Sequence, residues 1–166
     1  MSKHDPSIAS AFDDRSSAEA GSIGAAGFEA AEPGTIDHEL DELLDQVTAA
    51  LATDEVDLDE SLVKDNLEEL LLVLVSVHGS THGKELLADL TEQFDAQLSP
   101  GTVYPCLHDL EEDGVLSMHA KVRTKEYSVV DEAYVRATLE RTMTQHLAFG
   151  LLLDRFLSSY PAADSE

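Results

Sequence analysis

Leu40, Leu43, Leu44, Val47 and Leu51 recur three and four residues apart, with Asp37, Glu39, Asp41, Glu42 and Asp45 between them. That period gathers the apolar side chains on one stripe and predicts an amphipathic acidic helix starting near Ile36, in need of a partner surface in its own domain or a second subunit. After an acidic turn over 54–60, a second helix runs from Ser61 or Asp65 to His78, with Leu67, Leu70, Leu71, Leu74 and Val77 as its buried stripe, and stops at Gly79. A third runs from His82 to Phe94 with Leu86, Leu87, Leu90 and Phe94 inward. Ser99-Pro100 reads as an N-cap followed by proline in the first helical position, opening a helix to Asp113 that buries Val103, Leu107 and Leu110 and ends at Gly114. The stretches 115–119 and 125–130 alternate like strands across a short turn and predict a hairpin. From Asp131 to Tyr160 a long helix carries Val135, Leu139, Met143, Leu147, Gly150, Leu153 and Phe156 on one stripe.

Helix, helix, helix, strand, basic turn, strand is the order of a winged helix-turn-helix. The expected fold is mainly α with a small β-hairpin, completed by a long C-terminal dimerisation helix. Residues 1–35, rich in Ala, Gly, Ser and acid without an apolar period, predict a disordered acidic tail. Residues 36–60 form the acidic helix and linker, 61–130 the DNA-binding domain, 131–160 the dimerisation helix and 161–166 a tail. At about 1.5 Å per residue the last helix outreaches a small winged domain. Its length is therefore assigned to pairing with a second subunit through Leu139, Met143, Leu147, Gly150, Leu153 and Phe156.

Charge changes the picture more than any other compositional feature. The 166 residues hold 34 acidic against 10 basic side chains, and the excess continues through 65–113, well inside the predicted fold. Such a chain repels itself unless salt screens it, and the Debye length falls to about 3 Å near 1 M. A salt-rich cytosol is the expectation, with salt cations as partners of the acidic surface. No apolar run reaches the length of a membrane span, and the first residues lack the layout of a secretory signal, so a soluble, cytoplasmic protein is expected. Cys106 is the lone cysteine, which excludes an intrachain disulfide and a Cys-rich zinc site.

Against that background Lys121, Arg123 and Lys125 place three of the ten basic residues in the turn of the hairpin. In a winged helix-turn-helix the third helix enters the major groove and the hairpin tip reaches the neighbouring backbone or minor groove, so this concentration points to double-stranded DNA. On the helix opened by Pro100, the face opposite Val103, Leu107 and Leu110 carries Ser99, Thr102, Tyr104 and His108, all able to hydrogen-bond phosphates or base edges. Tyr104 is open to a second reading as a core ring. The whole assignment requires this polar ridge to be exposed with the cations beside it.

The segment 98–116, with Ser99-Pro100-Gly101-Thr102, Tyr104-Pro105 and Leu110-Glu111-Glu112-Asp113-Gly114, resembles the recognition-helix signature of the PadR family of winged-helix transcription regulators. His82-Gly83 and Tyr127 extend the likeness over about 67–130, and the acidic composition makes its haloarchaeal members the nearest. The resemblance implies a homodimeric regulator whose C-terminal helices pair and whose two third helices read a semi-palindromic operator. Departures are Lys84 where the family usually has Tyr, His108-Asp109 where bacterial members often have basic residues, and a wing without a Gly-Arg-rich tip. Lys84, Arg123 and neighbouring backbone amides then become the better phosphate contacts.

Nothing in the sequence has the layout of a nucleophile motif, a phosphate loop or a metal-ligand set, so neither an enzyme nor a cofactor is expected. His78 and His82 have the spacing of a helical metal pair, but the intervening Gly79-Ser80-Thr81 suggests a turn, and capping or surface roles are expected. Cys106 is expected to pack inertly. The competing reading is a protein-interaction module: a winged fold that has lost DNA binding and holds a partner through the acidic helix at 37–51.

Overall fold

A computed structural model describes residues 36–51 and 57–160; the expected tails at 1–35 and 161–166 and part of the acidic linker lie outside the described residues. In chain order the elements are α1 (Ile36–Leu51), α2 (Glu60–Asp65), α3 (Leu67–His78), β1 (Thr81–His82), α4 (Gly83–Phe94), α5 (Pro100–Glu112), β2 (Leu116–Ala120), β3 (Lys125–Val129) and α6 (Glu132–Ser159). Two compact units meet in sequence between Leu139 and Glu140, inside α6.

The unit that ends at Leu139 is built around α3. Leu71, Leu72, Leu74 and Val75 are fully buried, because α1, α2, α4, α5 and β3 all pack against this helix. The single stripe expected from the sequence is therefore too narrow: Leu72 and Val75 join it, while Leu70 and Val77 are only half-buried. Of the two expected starts, that at Asp65 lies within two residues of α3, whereas a helix from Ser61 is broken at Asn66, whose backbone leaves the helical region and whose side-chain amide donates to the Leu62 carbonyl at 2.8 Å. The short piece before the break still places Val63 in the core. On α1, Leu40 is buried and Leu44 packs on the core, but Leu43, Val47 and Leu51 stay largely exposed.

β1 was not legible as a strand, since two residues carry no period. It pairs antiparallel with β3, Thr81 opposite Tyr127 and His82 opposite Glu126, and gives a sheet of order β1-β3-β2. β2 and β3 form the expected hairpin, with Leu116 opposite Val129 and Ala120 opposite Lys125. Its turn is closed by the Lys121 amide donating to the Thr124 carbonyl at 2.7 Å. Tyr127 is buried beneath the sheet, and burial raises its phenol pKa.

Three termini place the helices that flank the hairpin. The Nδ1 of His82 accepts the Glu85 amide at 3.1 Å and caps α4, satisfying one of the donors left over at a helix start. Ser99 holds the N-cap position of α5, but its hydroxyl meets that of Thr102 at 3.1 Å and caps no amide. At the other end of α5, Gly114 takes φ +75°, the Gly114 amide donates to Glu111 and the Val115 amide to Leu110, a Schellman closure that needs a residue at ease with positive φ. Within α5, Pro105 has no N–H, so the carbonyl of Gly101 lacks its helical donor; both residues lie on the exposed side.

The start of α6 belongs to the same core. Val135 and Thr138 are buried, Leu139 packs against the cluster, and the Tyr134 hydroxyl donates to Glu68 of α3 at 2.8 Å. Leu139, expected on the pairing stripe, thus serves the core. From Glu140 onward the helix is solvent-facing almost throughout. Met143, Leu147, Leu153 and Phe156 are exposed as a set, joined by Phe149, Leu152, Leu157 and Tyr160, which the stripe did not include. The Phe156 and Tyr160 rings pack at a tilt of 40°, with centroids 5.4 Å apart. Among the described residues no helix is long and apolar enough to cross a membrane.

Candidate nucleic-acid interface

α5 buries Val103, Leu107 and Leu110 and turns Ser99, Thr102, Tyr104 and His108 outward, so the polar ridge is free. The split follows from the helical period, because the three apolar positions lie three and four residues apart and anchor one side against α3 and α4. Tyr104 is 36% exposed, which resolves its two readings into a mixture: the ring packs on Gly83 while its edge reaches solvent.

The cations stand beside this ridge. A shallow cleft of about 200 Å³ is lined by His82, Gly83 and Lys84 from the start of α4, by Tyr104 from α5, and by Arg123, Thr124 and Lys125 from the wing. The sheet makes this possible. Pairing β1 to β3 brings the residue before α4 next to the strand that leaves the wing turn, so residues some forty positions apart share one wall. His82, Gly83 and Thr124 were not picked out as site residues from the sequence; the His-Gly pair was visible, but its place in the cleft depends on strand register.

Two expected contacts are altered by neighbours. Lys121 is held by Glu126, Nζ to Oε1 2.6 Å, and that hydrogen bond lowers the Glu126 pKa. Its charge is therefore shared with Glu126 in an exposed pair, a difference among the three wing cations that their spacing does not show. His108 lies between Glu111 at 3.6 Å and Glu112 at 3.8 Å, and with Asp109 and Asp113 it makes the C-terminal half of the ridge acidic. The half nearest Ser99 is free of carboxylates and adjoins the cleft.

The remaining candidates have quieter roles. His82 caps α4 as expected of it, whereas His78 is neither a cap nor a surface residue: its Nε2 is 2.7 Å from Asp89 Oδ2, in a nearly buried pair linking α3 to α4. No group of three or more potential metal ligands occurs among the described residues. Burial pushes the Cys106 thiol up to about 11, with help from Glu68, Asp109 and Glu69, so it is a thiol and a poor nucleophile near neutral pH.

Fold and ridge together define a winged helix-turn-helix. Residues 70–132 match the family described as the transcriptional regulator PadR-like family, and the chain carries a PadR-like domain. It is 36% identical over 107 residues to the transcriptional activator GvpE1 of Halobacterium salinarum, covering 64% of this chain and 56% of that protein. It is 39% identical over 87 residues to the transcriptional activator GvpE of Haloferax mediterranei, covering 52% and 45%. The chain thus spans about half the length of the curated relatives it matches. Similar solved structures include a PadR family transcription regulator from Clostridium difficile, at TM-score 0.46 and 17% identity over 55% of this chain and 98% of that one. RosR of Halobacterium salinarum is another, at TM-score 0.40 and 19% identity over 56% and 93%. Relatives from salt-loving archaea agree with the acidic composition read from the sequence.

Proposed function

We propose that the chain is a sequence-specific transcription regulator that binds a semi-palindromic operator in double-stranded DNA as a homodimer, in a salt-rich cytoplasm. The cleft carries this reading. In a chain of net charge −24, Lys84, Arg123 and Lys125 gather in one depression beside the hydroxyl-bearing start of α5. A polyanion backbone held there sets the register of α5 in the major groove, where Ser99, Thr102 and Tyr104 meet phosphate or base edges. The curated relatives' own designation as transcriptional activators supports the same reading. The exposed apolar set on α6 supplies the surface for pairing two copies, with Met143, Leu147, Gly150, Leu153 and Phe156 at its centre.

Ordinary counterion release does not serve such a protein well. With about four phosphates neutralised, affinity falls by roughly three to four decades per tenfold rise in salt. Hydrogen bonds, DNA shape and cations that bridge exposed carboxylates to phosphates therefore carry much of the binding. The experiment is a gel-shift titration of a duplex enriched by the full chain from a random-sequence pool, run from low to molar KCl. The native chain is expected to hold flat or rising affinity, and R123A/K125A to abolish the shift. A steep decline with salt sinks the bridging mechanism. An unaffected double variant sinks the DNA assignment in favour of a protein-interaction module.

A further inference from the structure

Gly83 is the first residue of α4, is buried and does not adopt a positive φ, so its backbone makes no demand for glycine. A methyl there would ordinarily favour the helix. What forbids one is Tyr104: a Cβ on Gly83 would lie 2.5 Å from the Cζ of the ring and 2.6 Å from both Cε1 and the hydroxyl oxygen. Carbon atoms in contact sit about 3.5–4.0 Å apart, so the outer end of the phenol occupies the space a side chain would need. Those three atoms are the far end of a partly exposed side chain, and a methyl would displace the ring before it displaced a helix.

We propose that Gly83 is a positioning residue for DNA binding, resting on the regulator reading above. By carrying no side chain it lets the Tyr104 ring lie against the start of α4, and this holds the phenol at the wall of the cleft that also contains Lys84, Arg123 and Lys125. No described side chain takes up the Tyr104 hydroxyl. It is thus available to donate to a DNA phosphate oxygen between those cations, and the positive end of α4 favours the anion at the same place. Gly83 acts only through the hydroxyl it positions.

The test is a double-mutant cycle on the full chain in molar KCl, with the same pool-enriched duplex, fluorescein-labelled, as probe. Y104F keeps the ring and its clash with a new methyl but removes the donor. Loss of a hydrogen bond to a charged group is expected to weaken binding about tenfold or more in Y104F. G83A is expected to lose about as much, and G83A/Y104F no more than the larger single loss. Full affinity in Y104F overturns the proposal, as does a G83A loss that persists undiminished in the Phe background, because the methyl would then be acting on the helices. If G83A does not fold, G83A/Y104A must restore folding by vacating the space, and failure of that rescue overturns it too. Absence of duplex binding by the native chain overturns the regulator reading itself, a result distinct from an additive cycle on a chain that binds.

Discussion

Lys121, Arg123 and Lys125 are alike in the sequence and unlike in the structure. Lys121 already holds Glu126 within hydrogen-bonding distance, whereas Arg123 and Lys125 line the cleft. An exposed ion pair of this kind contributes little to stability, and its lysine is a weaker attractor of a second anion because the first is at hand. K121A is therefore expected to fold normally and to bind the enriched duplex within about threefold of the native chain, roughly the effect of a surface charge change of half a kcal/mol. R123A in the same assay is expected to lose much more. Equal losses in the two would show that Glu126 gives up its partner when DNA arrives. The family resemblance already favoured Arg123, but the Lys121 pair itself was not legible from the residues, because Glu126 reaches Lys121 across a turn whose closure is a matter of backbone geometry. Cys106 shows the opposite case: its place between Pro105 and Leu107, in a helix with few nearby cations, already argued for an unreactive thiol.

At the scale of elements, legibility followed period. α4, α5 and α6 were read within a residue or two, since each has one apolar stripe and a recognisable stop or start. α3 was read too narrowly because packing from several sides erases the amphipathic signal. β1, two residues long, had no signal at all, and the cleft depends on it; most of the candidate cations were named from the sequence, but their meeting with Tyr104 at the start of α4 was not. The end of α5 offers a sharp check on the local physics. Gly114 closes the helix at φ +75° and hands the chain to β2, so G114A is expected to destabilise the fold by about 1 kcal/mol. A lowered midpoint in urea titration at constant m, with the ridge otherwise intact, is the expected result; an unchanged midpoint would mean that the turn tolerates a side chain.

For the whole molecule, the question is what covers the apolar side chains of α6. Met143 is 55% exposed and Phe156 58%, in a helix segment that buries almost nothing among the described residues. On the reading proposed above, a self-complementary contact between two copies would cover them and would also supply the twofold symmetry that a semi-palindromic operator requires. L147E places a carboxylate in the middle of that surface. The expected outcome is a monomer by light scattering in molar KCl, with retained helicity and lost operator binding; a variant that remains dimeric would assign the pairing to another surface. Salt enters at this scale as well. A chain of net charge −24 repels itself less as screening improves, so molar salt is the condition in which the L147E comparison belongs.

Pro105, which has no N–H to give to Gly101, costs α5 one internal hydrogen bond on its outward side. Alanine in its place would return that bond, so the proline keeps the outward side of the helix weaker than the buried side that anchors it.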